Sequence, residues 1–233
     1  MNLWETIAAT LREELRAGQY PAGARLPTEA RLARRFEVNR HTVRRAIAAL
    51  RDEGLVHSRR GAGMFAAARP TEYNLGRRTR FHRNLIAAGQ TPSREVLLLE
   101  TRCGNAAECR ALNLPAAARV HAAEGRSLAD GHPVALFRSV FPAERLAELP
   151  RHLHETHSVT AALAASGVAD YFRASTRLTA VRANATQARQ LLIDEADPIL
   201  RSVSVNVDAE GIPVEYGRTW FAGDRVSLVV GED

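Results

Sequence analysis

The sequence predicts an α+β protein in two parts: a small helical module closed by a β-hairpin, then a larger antiparallel-sheet domain. Three observations carry that expectation. Apolar residues recur every three or four positions as far as Leu50, then give way to a glycine-centred hairpin signal. From residue 94 onward, seven strand-like segments alternate with short helical ones, and Asp-Gly or Ala-Glu-Gly turns join two pairs of them. Charge divides at the same place: residues 1 to 69 hold 13 Arg against 7 acidic residues, whereas residues 70 to 233 hold 19 of each. The net charge of +6 therefore belongs to the first part. A basic module joined to a neutral one points to a polyanion as partner of the first and to a different task for the second. At 233 residues and 45% hydrophobic, the chain has enough material for two cores.

Several classes are set aside by composition. The N-terminus carries Glu5 early and lacks a cationic start followed by an apolar run, so no signal peptide is expected. No stretch approaches the length of a membrane span. Cys103 and Cys109 are too few and too close for a disulfide framework or a four-ligand zinc site, which suits a reducing, cytoplasmic setting. His152, His154 and His157 in "RHLHETHS" do not converge on one helix face, so the segment is expected to be a solvated loop without a metal. Gly61 and Gly63 lack the lysine and following helix of a nucleotide loop. No cofactor is expected.

The elements of the first module follow in order. Trp4, Ile7, Leu11 and Leu15 share one face of a helix that Gly18 ends. "YPAGARLP" is a loop, and Thr28 caps a second helix with Leu32, Ala33 and Phe36 inward. Asn39 caps a third, on which Val43, Ala46, Ile47 and Leu50 form the apolar arc. His41 and Arg45 point the other way, with Arg40, Arg44 and Arg51 along one flank and Thr42 in the first turn. That outer face suits a groove lined by phosphates: Arg forks grip phosphate oxygens or guanine edges, and Asn39 and His41 stand where a helix start reaches bases. "GLVHSRRGAGMFAA" then forms a hairpin whose tip offers Arg59, Arg60 and the backbone of Gly61. Helix, helix, recognition helix and wing make a winged helix-turn-helix.

The segment "AGARLPTEARLARRFEVNRHTVRRAIAALRDEGLVHSRRGAGMF" closely resembles the DNA-binding module of the GntR family of bacterial transcription regulators. Leu26-Pro27-Thr28-Glu29, Arg40, Thr42-Val43-Arg44, Ala46, Leu50, Gly54-Leu55, Gly61 and Gly63 stand in register with it. The resemblance implies groove-facing roles for Asn39, Arg40, His41 and Arg44 and a wing contact from Arg60-Gly61. Ala30 stands where family members often carry a basic residue, and Arg31 follows.

Residues 70–77 read as a linker, and 78–233 as the second domain. Its strand-like segments are "REVLLLETRC", "RVHAAEGRSLAD", "HPVALFRSVF", "YFRASTRLTAVRA", "PILRSVSVNVDAE", "IPVEYGRTWF" and "RVSLVV", with helices near 105–112, 143–149, 158–166 and 184–193. "ECRALNL", "GRSLADGHPV", "HSVTAALAASG", "ATQARQLLIDEADPIL" and "GIPVEYGRTWFAGDRVSL" resemble the UTRA effector domain of the HutC subfamily, which implies a chorismate-lyase-like fold. "YNLGRRTRFHRNLIAAGQTP" is similar to phosphonate-utilisation repressors of that subfamily.

A small anionic effector fits the arginines. Arg77, Arg78 and Arg80 follow the linker, and period-two alternation puts Arg173, Ser175 and Arg177 on one strand face. Ser158 stands at a helix start. Planar Arg forks suit phosphate or phosphonate oxygens. The resemblance implies that the helix-start serine and arginines of the strand before the Asp-Gly turn bind the effector; Arg126 occupies that strand, one position off the usual pocket-facing place. Glu215, Tyr216 and Arg218 are placed to close the pocket or to meet an amine. The expectation is a homodimeric repressor bound to double-stranded operator DNA and released by the effector, a phosphonate or phosphate ester, with amino-sugar phosphates, urocanate or another carboxylate as alternatives. A lyase-like enzyme is the rival from another class, but no nucleophile–base constellation supports it.

Overall fold

Helix α1 (Leu3–Arg16) opens where the Asn2 amide donates to Glu5 Oε2 at 2.8 Å. The two further helices, α2 (Glu29–Arg35) and α3 (Arg40–Asp52), begin at side-chain caps: Thr28 Oγ1 accepts from the Arg31 amide at 3.3 Å and Asn39 Oδ1 from the Thr42 amide at 2.8 Å. An antiparallel hairpin of β1 (Val56–Arg59) and β2 (Gly63–Ala66) follows. Leu11, Leu32, Val43, Ala46 and Leu50 are wholly buried between the helices, with Val56 and Met64 of the hairpin in the same core. Arg35 Nη1 donates to Glu14 Oε2 at 2.9 Å, tying α2 to α1 and holding that buried carboxyl below the usual carboxylate range. The computed structural model describes residues 2–21, 23–59, 63–67, 70–78 and 81–230, with Ser58 and Arg59 described by backbone alone. It divides into two units, Met1–Pro70 and Thr71–Asp233.

The second unit begins with β3 (Thr71–Asn74), α4 (Phe81–Ala87), β4 (Pro92–Cys103), α5 (Ala106–Ala111), β5 (Arg119–Ala129) and β6 (His132–Pro142). It continues through α6 (Leu149–Thr156), α7 (Val159–Ala165), β7 (Phe172–Arg182), α8 (Ala185–Leu191), β8 (Pro198–Val207), β9 (Pro213–Ala222) and β10 (Val226–Val229). Six strands form an antiparallel sheet in the order β4-β5-β6-β9-β8-β7, while β10 pairs in parallel with β3. Asp130 and Gly131, at φ of 49° and 77°, make the two-residue turn between β5 and β6.

Both sheet faces are covered. Ala123, Phe137, Phe141, Val159, Leu163 and Tyr171 form a layer under α6 and α7, which Tyr73, Phe81, Leu85 and Phe221 extend under α4. On the opposite face, Leu112, Val120, Ala122, Val140 and Tyr216 pack around α5, and Leu136, Ala188, Leu191 and Ile199 around α8.

Three sequence expectations need correction. Thr71–Asn74, expected within the linker, is a strand of the second unit, and the ring of its buried Tyr73 lies 5.1 Å from that of Phe221, tilted by 55°. The helix expected at 143–149 starts only at Leu149, because residues 143–148 form turns and Pro150 sits where a helix start tolerates it. "RHLHETHS" is mostly this helix, not a loop: Leu149 and Leu153 bury one stripe of it, His152 and His154 lie on the remainder, and His157 is its C-cap.

Gly125 is required by a close approach. A Cβ there would stand 1.9 Å from the Glu95 carbonyl oxygen and 2.9 Å from the Phe137 ring. Gly125→Ala is expected to cost about 1 to 3 kcal/mol or more. Urea denaturation of the two proteins checks this; equal midpoints would mean that β4 can move away freely.

Candidate functional site

The first unit presents a cationic surface on α3. Arg40, His41, Arg44, Arg45 and Arg51 are exposed, and Arg40 and Arg51 make no ion pair among the described residues. Asn39 divides its amide between two tasks: Oδ1 accepts from both the Thr42 amide and Thr42 Oγ1, at 2.8 and 2.9 Å, which leaves the NH₂ pointing away from the cap. Two of the arginines are held by the fold. Arg44 donates to Glu29 at 3.0 and 3.4 Å, and that carboxylate raises its pKa further. Arg45 lies 4.7 Å over the ring of Trp4. Both contacts fix cations at defined places along the outer helix face. Of the wing, Arg60 and Gly61 lie outside the described residues, as does the side chain of Arg59.

The second unit holds a small polar cavity of about 60 Å³ on the α4/α7 face of the sheet. Its walls include Tyr73, Phe81, His82, Arg94, Phe137, Ser158, Thr160, Tyr171 and Arg173, and its floor Ser139, Ser204, Asn206, Glu215, Gly217 and Thr219. A chain of hydrogen bonds runs across that floor. Arg173 Nε donates to Asn206 Oδ1 at 3.0 Å, Asn206 Nδ2 to Glu215 Oε2 at 2.7 Å, and Ser139 Oγ to Glu215 Oε1 at 2.6 Å. Arg94 lies over the rings of Phe137 and Phe81, at 4.6 and 5.3 Å, and its buried Nε has no hydrogen-bond partner. Burial, reinforced by Arg94, lowers the pKa of His82, and burial raises that of Tyr73.

Of the residues expected at the effector site, the cavity gathers Ser158, Arg173 and Glu215. A β-bulge explains why Arg177 does not join them. Ala174 has no partner between the pairs Arg173–Asn206 and Ser175–Val205, so Ser175 and Arg177 turn to the α5/α8 face. Arg218 faces the same way, opposite Arg138 and Val203, and donates to Tyr216 Oη at 3.1 Å. Arg126 is also on that face, where Nε donates to Glu95 at 2.8 Å. Its neighbour across the pairing, Arg94 opposite Ser127, reaches the cavity instead. Arg78 pairs with Asp170 at 2.7 Å and stacks 4.9 Å over Phe172. Arg80 lies outside the described residues.

A cavity of about 770 Å³ lies elsewhere in the unit, among Leu112, Leu114, Pro142, Ile212 and His121. It is larger, but its walls are mainly apolar and none of the expected effector residues lines it. The larger cavity also has Arg119, Glu144 and Arg145 in its walls, with Arg145 paired to Asp208, whereas the smaller brings together Arg94 and Arg173 with no carboxylate paired to either among the described residues.

Residues 3–66 match the bacterial regulatory proteins of the gntR family, and residues 87–227 match the UTRA domain. The HTH-type transcriptional regulator RB1450 of Rhizobium meliloti (strain 1021) is 38% identical over 97% of this chain and 93% of its own. The chain belongs to the GntR family, with a UTRA domain of the HutC type. This GntR regulator is also 32% identical, over 97% of its length and 94% of the relative, to "Probable transcriptional regulator PhnF" of Escherichia coli (strain K12). Its fold matches the crystal structure of PhnF from Mycobacterium smegmatis with a TM-score of 0.65 at 25% identity, over 97% of this chain and 98% of that one. The chain is accordingly a DNA-binding transcription regulator and not an enzyme. No helix among the described residues is long and apolar enough to cross a membrane.

Sequence reading of this GntR regulator missed Arg94, His82, Ser139 and Asn206. A signal for the last existed: Ser202, Ser204 and Asn206 alternate with Val203 and Val205. Ordinarily that marks a solvated face, but here all three polar residues are buried because helices cover both sides.

Arg44→Ala is expected to weaken operator binding about 10- to 100-fold and to relax preference at one base pair, measured by anisotropy on single-site operator variants. Equal loss on every sequence would make Arg44 a phosphate contact. His82 and His121 both have pKa values lowered by burial. A histidine that binds its proton less readily folded than unfolded costs stability as pH falls below its unfolded pKa of about 6.5. Stability is therefore expected to fall from about pH 6.5 downward, and less steeply in a His82→Gln/His121→Gln variant, measured by urea midpoints across that range.

Proposed function

We propose that the chain is a homodimeric, cytoplasmic repressor of phosphonate-uptake or degradation genes, released from its operator when a phosphonate or phosphate ester enters the polar cavity. In this reading residues 1–69 bind DNA, the second unit from Thr71 onward binds the effector and holds the dimer, and two modules meet half-sites about one helical turn apart. Asn39, Arg40, His41, Thr42, Arg44, Arg45 and the wing residues Arg59, Arg60 and Gly61 carry the DNA contacts.

One observation carries the effector reading. Arg94 and Arg173 line one cavity with no carboxylate paired to either among the described residues, and the Arg94 Nε proton is buried without an acceptor. Buried N–H donors without partners are costly, and an oxygen-rich anion would satisfy them. Ser158 Oγ accepts from the Ala161 amide at 3.3 Å and keeps its own proton for an acceptor, while Thr160 Oγ1 shares a hydrogen bond with Tyr171 Oη at 2.9 Å. Support for phosphonate in particular comes from the likeness of residues 73–92 to phosphonate-utilisation repressors and from the relatives named PhnF. Release requires that the effector bind the DNA-incompetent arrangement more tightly, since equal affinity for both would shift nothing.

The test is an anisotropy titration on the chain's own upstream DNA with methylphosphonate, inorganic phosphate, glucosamine 6-phosphate and urocanate. Release by methylphosphonate supports the proposal, release by glucosamine 6-phosphate keeps the phosphate-ester effector and overturns the phosphonate genes, and release by urocanate or inorganic phosphate alone replaces the effector. Arg94→Ala and Arg173→Ala are each expected to keep operator affinity within about twofold while abolishing release, on the scale of about 1 to 3 kcal/mol of coupling. Normal release by either variant would remove that arginine from the site.

A further inference from the structure

Resting on the reading of the polar cavity as the effector site, we propose that its effector is a small zwitterion, in which a phosphonate or phosphate dianion is joined by a short tether to an ammonium group that pairs with Glu215.

Glu215 is only 8% exposed, at the floor of the cavity. Its acceptors are met by two neutral donors, the Ser139 hydroxyl and the Asn206 amide, and no cation pairs with it among the described residues. Arg173 stops short of it, spending its Nε on Asn206. A carboxylate has about four lone-pair sites, so about two remain open here. Buried charge without a counter-charge is disfavoured, and a ligand cation would supply one.

Charge balance leads to the same ligand. Arg94 and Arg173 contribute two positive charges to the cavity and Glu215 one negative, while the depressed basicity of His82 keeps it neutral near pH 7. A simple alkylphosphonate dianion would overcompensate this net single positive charge and place a second anion beside Glu215. A dianion that carries an ammonium cancels the charge and separates its two ends as the cavity does.

Space beside the carboxylate is provided by Gly217. A Cβ built there would stand 3.7 Å from Glu215 Oε1 and 3.1 Å from Ser204 Oγ, so any side chain would occupy the ground next to the carboxylate. The cavity's volume of about 60 Å³ favours a short linear molecule over a sugar ring. Phe137 and Tyr171 give the walls that a two- or three-carbon tether would touch.

Isothermal titration of the full-length protein with 2-aminoethylphosphonate and with ethylphosphonate tests this. Titrated above the second phosphonate pKa of both compounds and below the ammonium pKa, the pair differ in the ammonium alone. The expected result is at least tenfold tighter binding of the aminated compound, with that preference lost in Glu215→Gln. Should Glu215→Gln not fold, Gly217→Ala serves instead: it should weaken 2-aminoethylphosphonate more than ethylphosphonate. Equal or tighter binding of ethylphosphonate by the unaltered protein would overturn the zwitterion and leave the anion site standing. An aminated-ligand preference that survives Glu215→Gln would likewise overturn the role of Glu215. Binding of neither compound would bring down the inference and the phosphonate reading together.

Discussion

Burying a carboxylate among neutral donors costs free energy unless something else is gained, and the second unit is organised around one such group. Glu215 is held by Ser139 from β6 and Asn206 from β8, and Asn206 in turn fixes Arg173 from β7. Four residues on four strands are thereby locked in one network, on the sheet face that also carries the apolar layer of Phe137, Phe141 and Phe221. A partly satisfied buried network is less stable than an apolar core of the same volume. Such a network is retained where it does chemistry, and the chemistry left open here is recognition of charge. Arg94 completes it from β4 by lying on two aromatic rings that orient its guanidinium toward the cavity.

The first unit applies a related device at its surface. Long arginine side chains are ordinarily mobile, and ordering them costs side-chain entropy on binding. Glu29 holds Arg44 and the Trp4 ring holds Arg45 before any partner arrives. Asn39 spends its oxygen on capping α3 and keeps its NH₂ for another acceptor. Under the proposed DNA contacts, part of the ordering of these side chains is built into the folded module, which is the physical content of preorganisation.

How much of this the sequence disclosed depended on the range of the interaction involved. Local signals were readable: Thr28 and Asn39 as caps, the apolar arc Val43, Ala46, Ile47 and Leu50, the Asp130-Gly131 turn and the seven main strand segments from residue 94. Side-chain direction within strands was less so. Alternation from Arg173 predicts that Ser175 and Arg177 share its face, but the unpaired Ala174 reverses the parity. Because alternation has period two, one extra residue moves all that follow to the other side. Arg126 and Arg94 show the same limit: which of two arginines on neighbouring strands meets the cavity depends on inter-strand register, which neither strand states alone. Thr71–Asn74 was obscured because four residues are too few for periodicity, and their partner β10 is more than 150 positions away.

The central claim is that Arg94 and Arg173, and not the arginines of the opposite face, meet the effector. Side-chain Nε–H resonances of arginine, recorded by NMR on the full-length protein with and without methylphosphonate, test it directly. The account predicts displacement of the Arg94 and Arg173 signals with those of Arg126, Arg177 and Arg218 unmoved. Movement of Arg126 or Arg218 while Arg94 stays still would contradict it and transfer the site to the α5/α8 face.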